Sequence, residues 1–281
     1  MEPLVKHVAL LSESRQVGTG EVMVVAAALQ KQASRDLSGI WQIGATVDAF
    51  EHLEDVPVDY WPLIIRDDIG YSAAGIHLDQ SGQPFALISA DPDRDVWSLT
   101  SSHEMCEMLV DPFGNRVIAG DSIKTDQGRV TYLVEVCDPS EASNYAYSVN
   151  GVLVSDFYTP NFFDPVSAPG VRYSYTGAVK TPRSILPGGY ISWHDLETDI
   201  WWQQTWFGGT QPQFRSIGKL TGGQSIRSQI DRITSEDTAM AVSAGRAASE
   251  FAGMAAPSAK STLAARAQSL HSQINELIAA A

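Results

Sequence analysis

The residues best suited to chemistry lie in Ser101-Ser102-His103-Glu104-Met105-Cys106-Glu107-Met108-Leu109-Val110-Asp111-Pro112. An α-helix turns once in about 3.6 residues, so side chains four apart stand one above the other on one face. His103 and Glu107 then form an imidazole and a carboxylate able to grip one metal ion. Glu104, one step round the helix, is free to take a proton from a bound water. This is the logic of H-E-x-x-H on a helix, where two histidines bind zinc and the glutamate is general base. Here Glu107 replaces the second histidine, and zinc accepts a glutamate oxygen in the same geometry. The extra negative charge makes the ion a poorer Lewis acid, which weighs on activity more than on binding. The plainer reading takes Met105, Met108, Leu109 and Val110 as the buried stripe of an ordinary amphipathic helix. It leaves unexplained three ionisable groups beside that stripe, since buried charges are costly unless paired or metal-bound.

Catalytic zinc needs three protein ligands and an open position, so a third donor must come from elsewhere. The richest acidic cluster downstream is Glu135-Val136-Cys137-Asp138-Pro139-Ser140-Glu141. Asp138 is the preferred ligand, with Glu135 close behind. Either can instead serve as partner to the ring N–H of His103. The plain alternative is a solvated acidic turn before Pro139. Asp111 is read as a ligand, a helix-end carboxylate or neither. Tyr158 lies in an aromatic stretch with Tyr145, Tyr147, Phe157, Phe162 and Phe163. Such residues are more often core, but a tyrosine beside a cleft can donate to a developing oxyanion. Cys106 and Cys137 are read first as buried inert thiols, with a disulfide or soft metal ligands as the other readings. His194-Asp195 ranks below the acidic cluster as a ligand pair. The nearby tryptophans Trp193, Trp201, Trp202 and Trp206 read as cover for a sheet, or else as a glycan-binding platform.

The elements that must position these groups follow from pattern. Residues 4–11 form an apolar run fitting a buried strand. Glu21 to Leu37 carries Val22, Val25, Ala26, Leu29 and Ala33 at helical spacing, with Gly39 as a stop. Ile40–Phe50 and Trp61–Arg66 read as strands. Gly75–Leu78 and Phe85–Ile88 flank a turn-rich join typical of a hairpin. The motif helix spans Asp95 to Leu109, ended by Asp111-Pro112 and Gly114-Asn115. Arg129–Val134 is a strand, and Asn150-Gly151 marks a hairpin.

With this order of elements, His103-Glu104-x-x-Glu107 resembles the N-terminal half of a zincin-type metallopeptidase, over about residues 1–165. The resemblance implies an α+β fold: a twisted mixed sheet, one backing helix, one active-site helix, and an edge strand that holds an extended substrate by strand addition. Gly75–Leu78 or Phe85–Ile88 would be that edge. It also implies zinc held by His103, Glu107 and a downstream acid, Asp138 or Glu135, with Glu104 as general base and peptides or proteins as substrates. The other reading is an inactive zincin-fold protein with a structural or assembly role.

The 281 residues suffice for one large domain or for one domain plus an appendage, and a hydrophobic fraction of 44% is ample for a core. The division expected is 1–165 as the zincin-like domain, 166–223 as a loop- and Trp-rich β extension of it, and 224–281 as a helical tail. In that tail apolar residues recur at spacings of three and four, the seam of a coiled coil or helical hairpin suited to oligomer or partner contacts. A net charge of −14 argues against nucleic acid and against a polybasic membrane anchor. No run reaches the roughly 20 apolar residues of a membrane span, and the first residues read as a strand rather than a signal peptide. A cytoplasmic location is expected, with leaderless export as the other route.

Overall fold

The computed structural model describes residues 4–234. The fold is mixed α and β, of the α+β kind in general. Its first sheet has the order β2-β1-β3-β5-β4. Strands β1 (Val5–Ser12), β2 (Gly44–Ala49), β3 (Tyr60–Arg66) and β5 (Gln83–Ser89) run parallel, and the edge strand β4 (Gly75–Gln80) is antiparallel to β5. Alternation sets the two faces of this sheet. Val8, Leu10, Leu63, Ile65, Ala86 and Ile88 point into the main core, while Ala9, Leu11 and Ile64 make a small cluster with Leu87 on the other side.

Helix α1 (Thr19–Lys31) packs on β1 and β2, and α3 (Arg94–Val110) packs on β3, β4 and β5. Both insert residues into the core that also takes the inner faces of β1, β3 and β5. Helix α1 does not end at Gly39. It widens into a π-helical stretch, Gln32–Leu37, and continues as α2 (Ser38–Trp41) until Gln42 takes a left-handed conformation, φ 59°. The apolar side chains of Leu37, Ile40 and Trp41 bury on this extension, and that burial outweighs the glycine.

A second sheet, β12-β11-β10-β7-β6, is antiparallel throughout and joins chain from both sides of residue 165. Its strands are β6 (Val117–Asp121), β7 (Arg129–Leu133), β10 (Tyr190–Asp195), β11 (Ile200–Thr205) and β12 (Gln213–Gly218). A ribbon of β8 (Tyr147–Val149) and β9 (Val152–Val154) turns at Asn150-Gly151, where both residues take positive φ, 53° and 74°, as a type I′ turn requires. One core runs from Val8 to Trp193 through α1, α3, β7 and β9. Residues 226–234 are helical. The expected seam beyond Thr234 lies outside the described residues, and no helix among them is long and apolar enough to cross a membrane.

Candidate metal centre

Helix α3 starts at Asp93, whose side chain accepts from the Asp95 N–H at 3.1 Å, and stops where Pro112 follows Asp111. It is more than an amphipathic helix with one buried stripe. Trp97, Met105, Cys106, Met108, Leu109 and Val110 are buried, and so are Ser98, Ser101, Ser102, Glu104 and Glu107. Polar contacts fix its rotation. Ser102 Oγ donates to Gln32 Oε1 at 2.8 Å and accepts from the Ser155 N–H at 2.8 Å. Gln32 Nε2 in turn donates to the Ser155 carbonyl at 3.0 Å, and Ser98 Oγ donates to the Leu153 carbonyl at 2.9 Å. The π-helical stretch presents Gln32 and Asp36 to this layer, and Asp36 accepts from the hydroxyls of Tyr147 and Tyr175 at 2.8 Å each. These bonds set which way His103, Glu104 and Glu107 face.

His103 Nε2 lies 3.3 Å from Glu107 Oε2 and 3.3 Å from Asp138 Oδ1. One ring nitrogen carries at most one proton, so it cannot donate to both acids at once. Donors about 2.0–2.2 Å from a tetrahedral zinc stand roughly 3.3–3.6 Å apart, the spacing seen here. Asp138 Oδ1 is buried without a hydrogen-bond partner among the described residues, as is Glu141 Oε1. His103, Asp138 and Glu141 each offer a donor atom within 4.8 Å of the others. So do His103, Glu107 and Cys137. Among the described residues His103 thus belongs to two donor sets compact enough to share a small cation, one with Glu107 and one with Asp138, and Glu107 and Asp138 do not fall together in either.

The charges are strongly shifted. Burial favours a neutral His103, but the Glu107 carboxylate outweighs it, helped by Asp138, and the ring is held well above the usual imidazole range. Burial pushes Asp138 well up and the Glu107 charge adds to it, with His103 offsetting part. Burial opposes ionisation of Glu107 too, but Arg227 and then His103 hold it well below the usual carboxylate range. Glu141 is pushed up to about 8, chiefly by desolvation. Shifts of this size, driven by specific partners, mark functional-site candidates.

The other acids divide. Glu135 sits on the far side of Glu107, its carboxylate paired with Arg227, and it groups with His77 and Glu107 rather than with His103. Asp111 is the helix-end carboxylate, with Oδ2 accepting from the Arg116 N–H at 2.8 Å. The Tyr158 ring stacks on Phe162, and its buried hydroxyl has no hydrogen-bond partner among the described residues. Burial, then the Glu107 and Asp138 charges, push that hydroxyl up, so it remains a donor. Cys106 and Cys137 are free and buried, and burial pushes the Cys137 thiol up, away from thiolate. His194 is engaged elsewhere, Nε2 on Asp199 at 3.0 Å and its ring stacked on Trp201. Trp193 is buried, with Nε1 donating to Gln127 at 2.9 Å, and Trp202 lies under Lys124, so the tryptophans cover the sheet rather than form one flat platform.

Two residues of this centre carry no local sequence signal. His77, on β4, donates from Nε2 to the Asp111 carbonyl at 3.1 Å, which leaves Nδ1 facing Glu104 at 3.6 Å and Glu107 at 3.9 Å. Arg227, from the helical residues after Ser225, pairs with Glu107 and Glu135 and reaches Glu104 at 3.5 Å. Alternation in β4 would set His77 on the polar face, opposite Ile76 and Leu78, yet Ile76 and His77 are both buried, and nothing near Arg227 in sequence points to α3. In comparisons with protein-family models, curated proteins and solved structures, nothing matches this chain.

Proposed function

We propose that the chain is a zinc-dependent metallopeptidase with a zincin-like arrangement: sheet β2-β1-β3-β5-β4, backing helix α1 and active-site helix α3. The observation that carries the reading is His103 Nε2 set at 3.3 Å from both Glu107 Oε2 and Asp138 Oδ1. His103, Glu107 and Asp138 would hold the ion, with Glu141 adjoining and Glu135 the alternative acid. A zinc ion held there supplies a Lewis acid and brings a bound water's pKa towards neutrality.

The chain's own groups do the rest. Glu104 takes the proton from the attacking water and passes it to the leaving amine nitrogen. Tyr158 O–H, without a hydrogen-bond partner among the described residues, donates to the oxygen on which negative charge develops. The antiparallel edge β4 runs beside α3, and Gly75 comes so close that a Cβ there would lie 2.9 Å from the Glu104 side chain. A substrate strand paired along that edge would pass the base. Zinc analysis of the purified chain, with casein cleavage by the wild type and Glu104→Gln, tests the reading.

A second reading, an inactive protein of the same fold with a structural or assembly role, is favoured by one observation. The guanidinium of Arg227 lies against Glu104 and Glu107, and both acids are buried. On that reading the wild type and any variant freed of this contact lack cleavage equally.

A further inference from the structure

The contact that favours inactivity also describes a binding site. Arg227 is 3% exposed, and its guanidinium meets Glu107 and Glu135 on one side, Glu104 at 3.5 Å, and Asp231 of its own helix at 3.1 Å. Apart from Asp231, the groups around the guanidinium come from other elements. These are two residues of α3, Glu135 after β7, and His77 of the edge strand, whose Nδ1 is buried, has no hydrogen-bond partner among the described residues and faces two carboxylates. Three acids in one buried space are costly unless a cation or protons offset their charge. A guanidinium suits them, being planar, permanently charged and able to bond several carboxylates at once.

The segment that delivers Arg227 is anchored outside the main core, with Thr234 Oγ1 buried and accepting from Gln203 Nε2 at 3.0 Å. Its backbone bonds are the Arg227 N–H to the Gly114 carbonyl at 3.0 Å and the Ile226 N–H to Asn115 Oδ1 at 2.9 Å. Its apolar seat is a small cluster of Ile230 with Leu133 and Trp201, apart from the main core. In this position it covers Glu104, which must reach water and substrate if the proposed reaction is to run.

We infer that the pocket of His77, Glu104, Glu107 and Glu135 is a guanidinium subsite for an arginine side chain of a polypeptide, and that Arg227 fills it as an internal inhibitor. The subsite stands on the contacts alone; the inhibition rests on the metallopeptidase reading. Arg227 shares Glu107 Oε2 with His103, so it also competes with a metal for that oxygen. If the open form makes up about 1–10% of molecules, removing the plug raises apparent zinc affinity and cleavage rate about ten- to a hundredfold.

The test compares the full chain with Arg227→Ala and with Ile230→Asn, which loosens the apolar seat and leaves every charge in place should the first variant fold poorly. Zinc affinity is measured by calorimetry, casein cleavage by gel, and methylguanidine binding by thermal shift. The expected result is that both variants bind zinc and cleave casein at least about tenfold better than the wild type. Methylguanidine should stabilise Arg227→Ala but not the wild type, and should reverse its gain in cleavage. Zinc bound equally by all three, with slower cleavage in Arg227→Ala that methylguanidine restores, would overturn the inhibitor role and make Arg227 a positioning residue. Zinc bound by none would defeat the metallopeptidase reading instead. The subsite then stands or falls on methylguanidine alone: stabilisation of Arg227→Ala supports it, and no stabilisation overturns it.

Discussion

Asp138 Oδ1 lies 3.3 Å from His103 Nε2, although the two residues belong to separate elements, a short 3₁₀ turn after β7 and the middle of α3. Two backbone hydrogen bonds keep the turn in place. Tyr158 donates its backbone N–H to the Val136 carbonyl at 2.7 Å, and Cys137 donates its own to Glu107 Oε1 at 3.1 Å. The second bond ties the Asp138 turn directly to the acid at the other end of the clasp.

If that clasp holds zinc, His103→Ala and Asp138→Asn each lower zinc affinity by more than about 100-fold, the upper end for residues that only support a ligand. Glu135→Gln, on the far side of Glu107, changes it less. Calorimetric titration ranks the three, and a larger loss in Glu135→Gln than in Asp138→Asn would exchange their roles.

Zinc binding should release protons. Glu141 is pushed up to about 8, so at neutral pH it carries a proton that a metal must displace, and the raised His103 and Asp138 act in the same direction. The sign follows: each raised group binds its proton more tightly than usual, so affinity rises as pH rises through about 8, where Glu141 loses its proton. Titrations in two buffers of different ionisation enthalpy count the protons. A count of zero would contradict the charge assignment.

Ser102→Ala tests how α3 is oriented. The hydroxyl bonds Gln32 and the Ser155 N–H, both buried, so its removal leaves a donor and an acceptor unsatisfied and costs roughly 1–3 kcal/mol for each such group. Urea unfolding measures it. A loss below about 0.5 kcal/mol, the usual size for surface substitutions, would mean that packing alone sets the helix rotation.

Tyr158→Phe separates a chemical role from a structural one. The hydroxyl has no hydrogen-bond partner among the described residues, so Tm should hold or rise. If it stabilises the developing oxyanion, kcat should fall by about 100- to 1,000-fold with zinc content unchanged. An unchanged kcat removes Tyr158 from the mechanism.

Much of the framework was legible because its signals are local. The motif helix expected over Asp95–Leu109 is Arg94–Val110, and Asn150-Gly151 turns where such a pair must. What escaped was set by distant partners. Strands β6 and β12 are short, largely exposed and poor in alternation, and exist because β7 and β11 offer them edges. Gly39 failed as a stop because Ile40 and Trp41 bury beyond it. In the candidate site, His103, Glu104 and Glu107 could be grouped by helical spacing alone. Arg227 could not, being 120 positions from the acid it pairs with.

The most direct test of the account is cleavage of casein by the zinc-loaded wild type and by Glu104→Gln at matched zinc content. The account predicts equal zinc and a rate in the variant lower by about 100- to 10,000-fold, as loss of a general base requires. Undiminished cleavage by Glu104→Gln would contradict it.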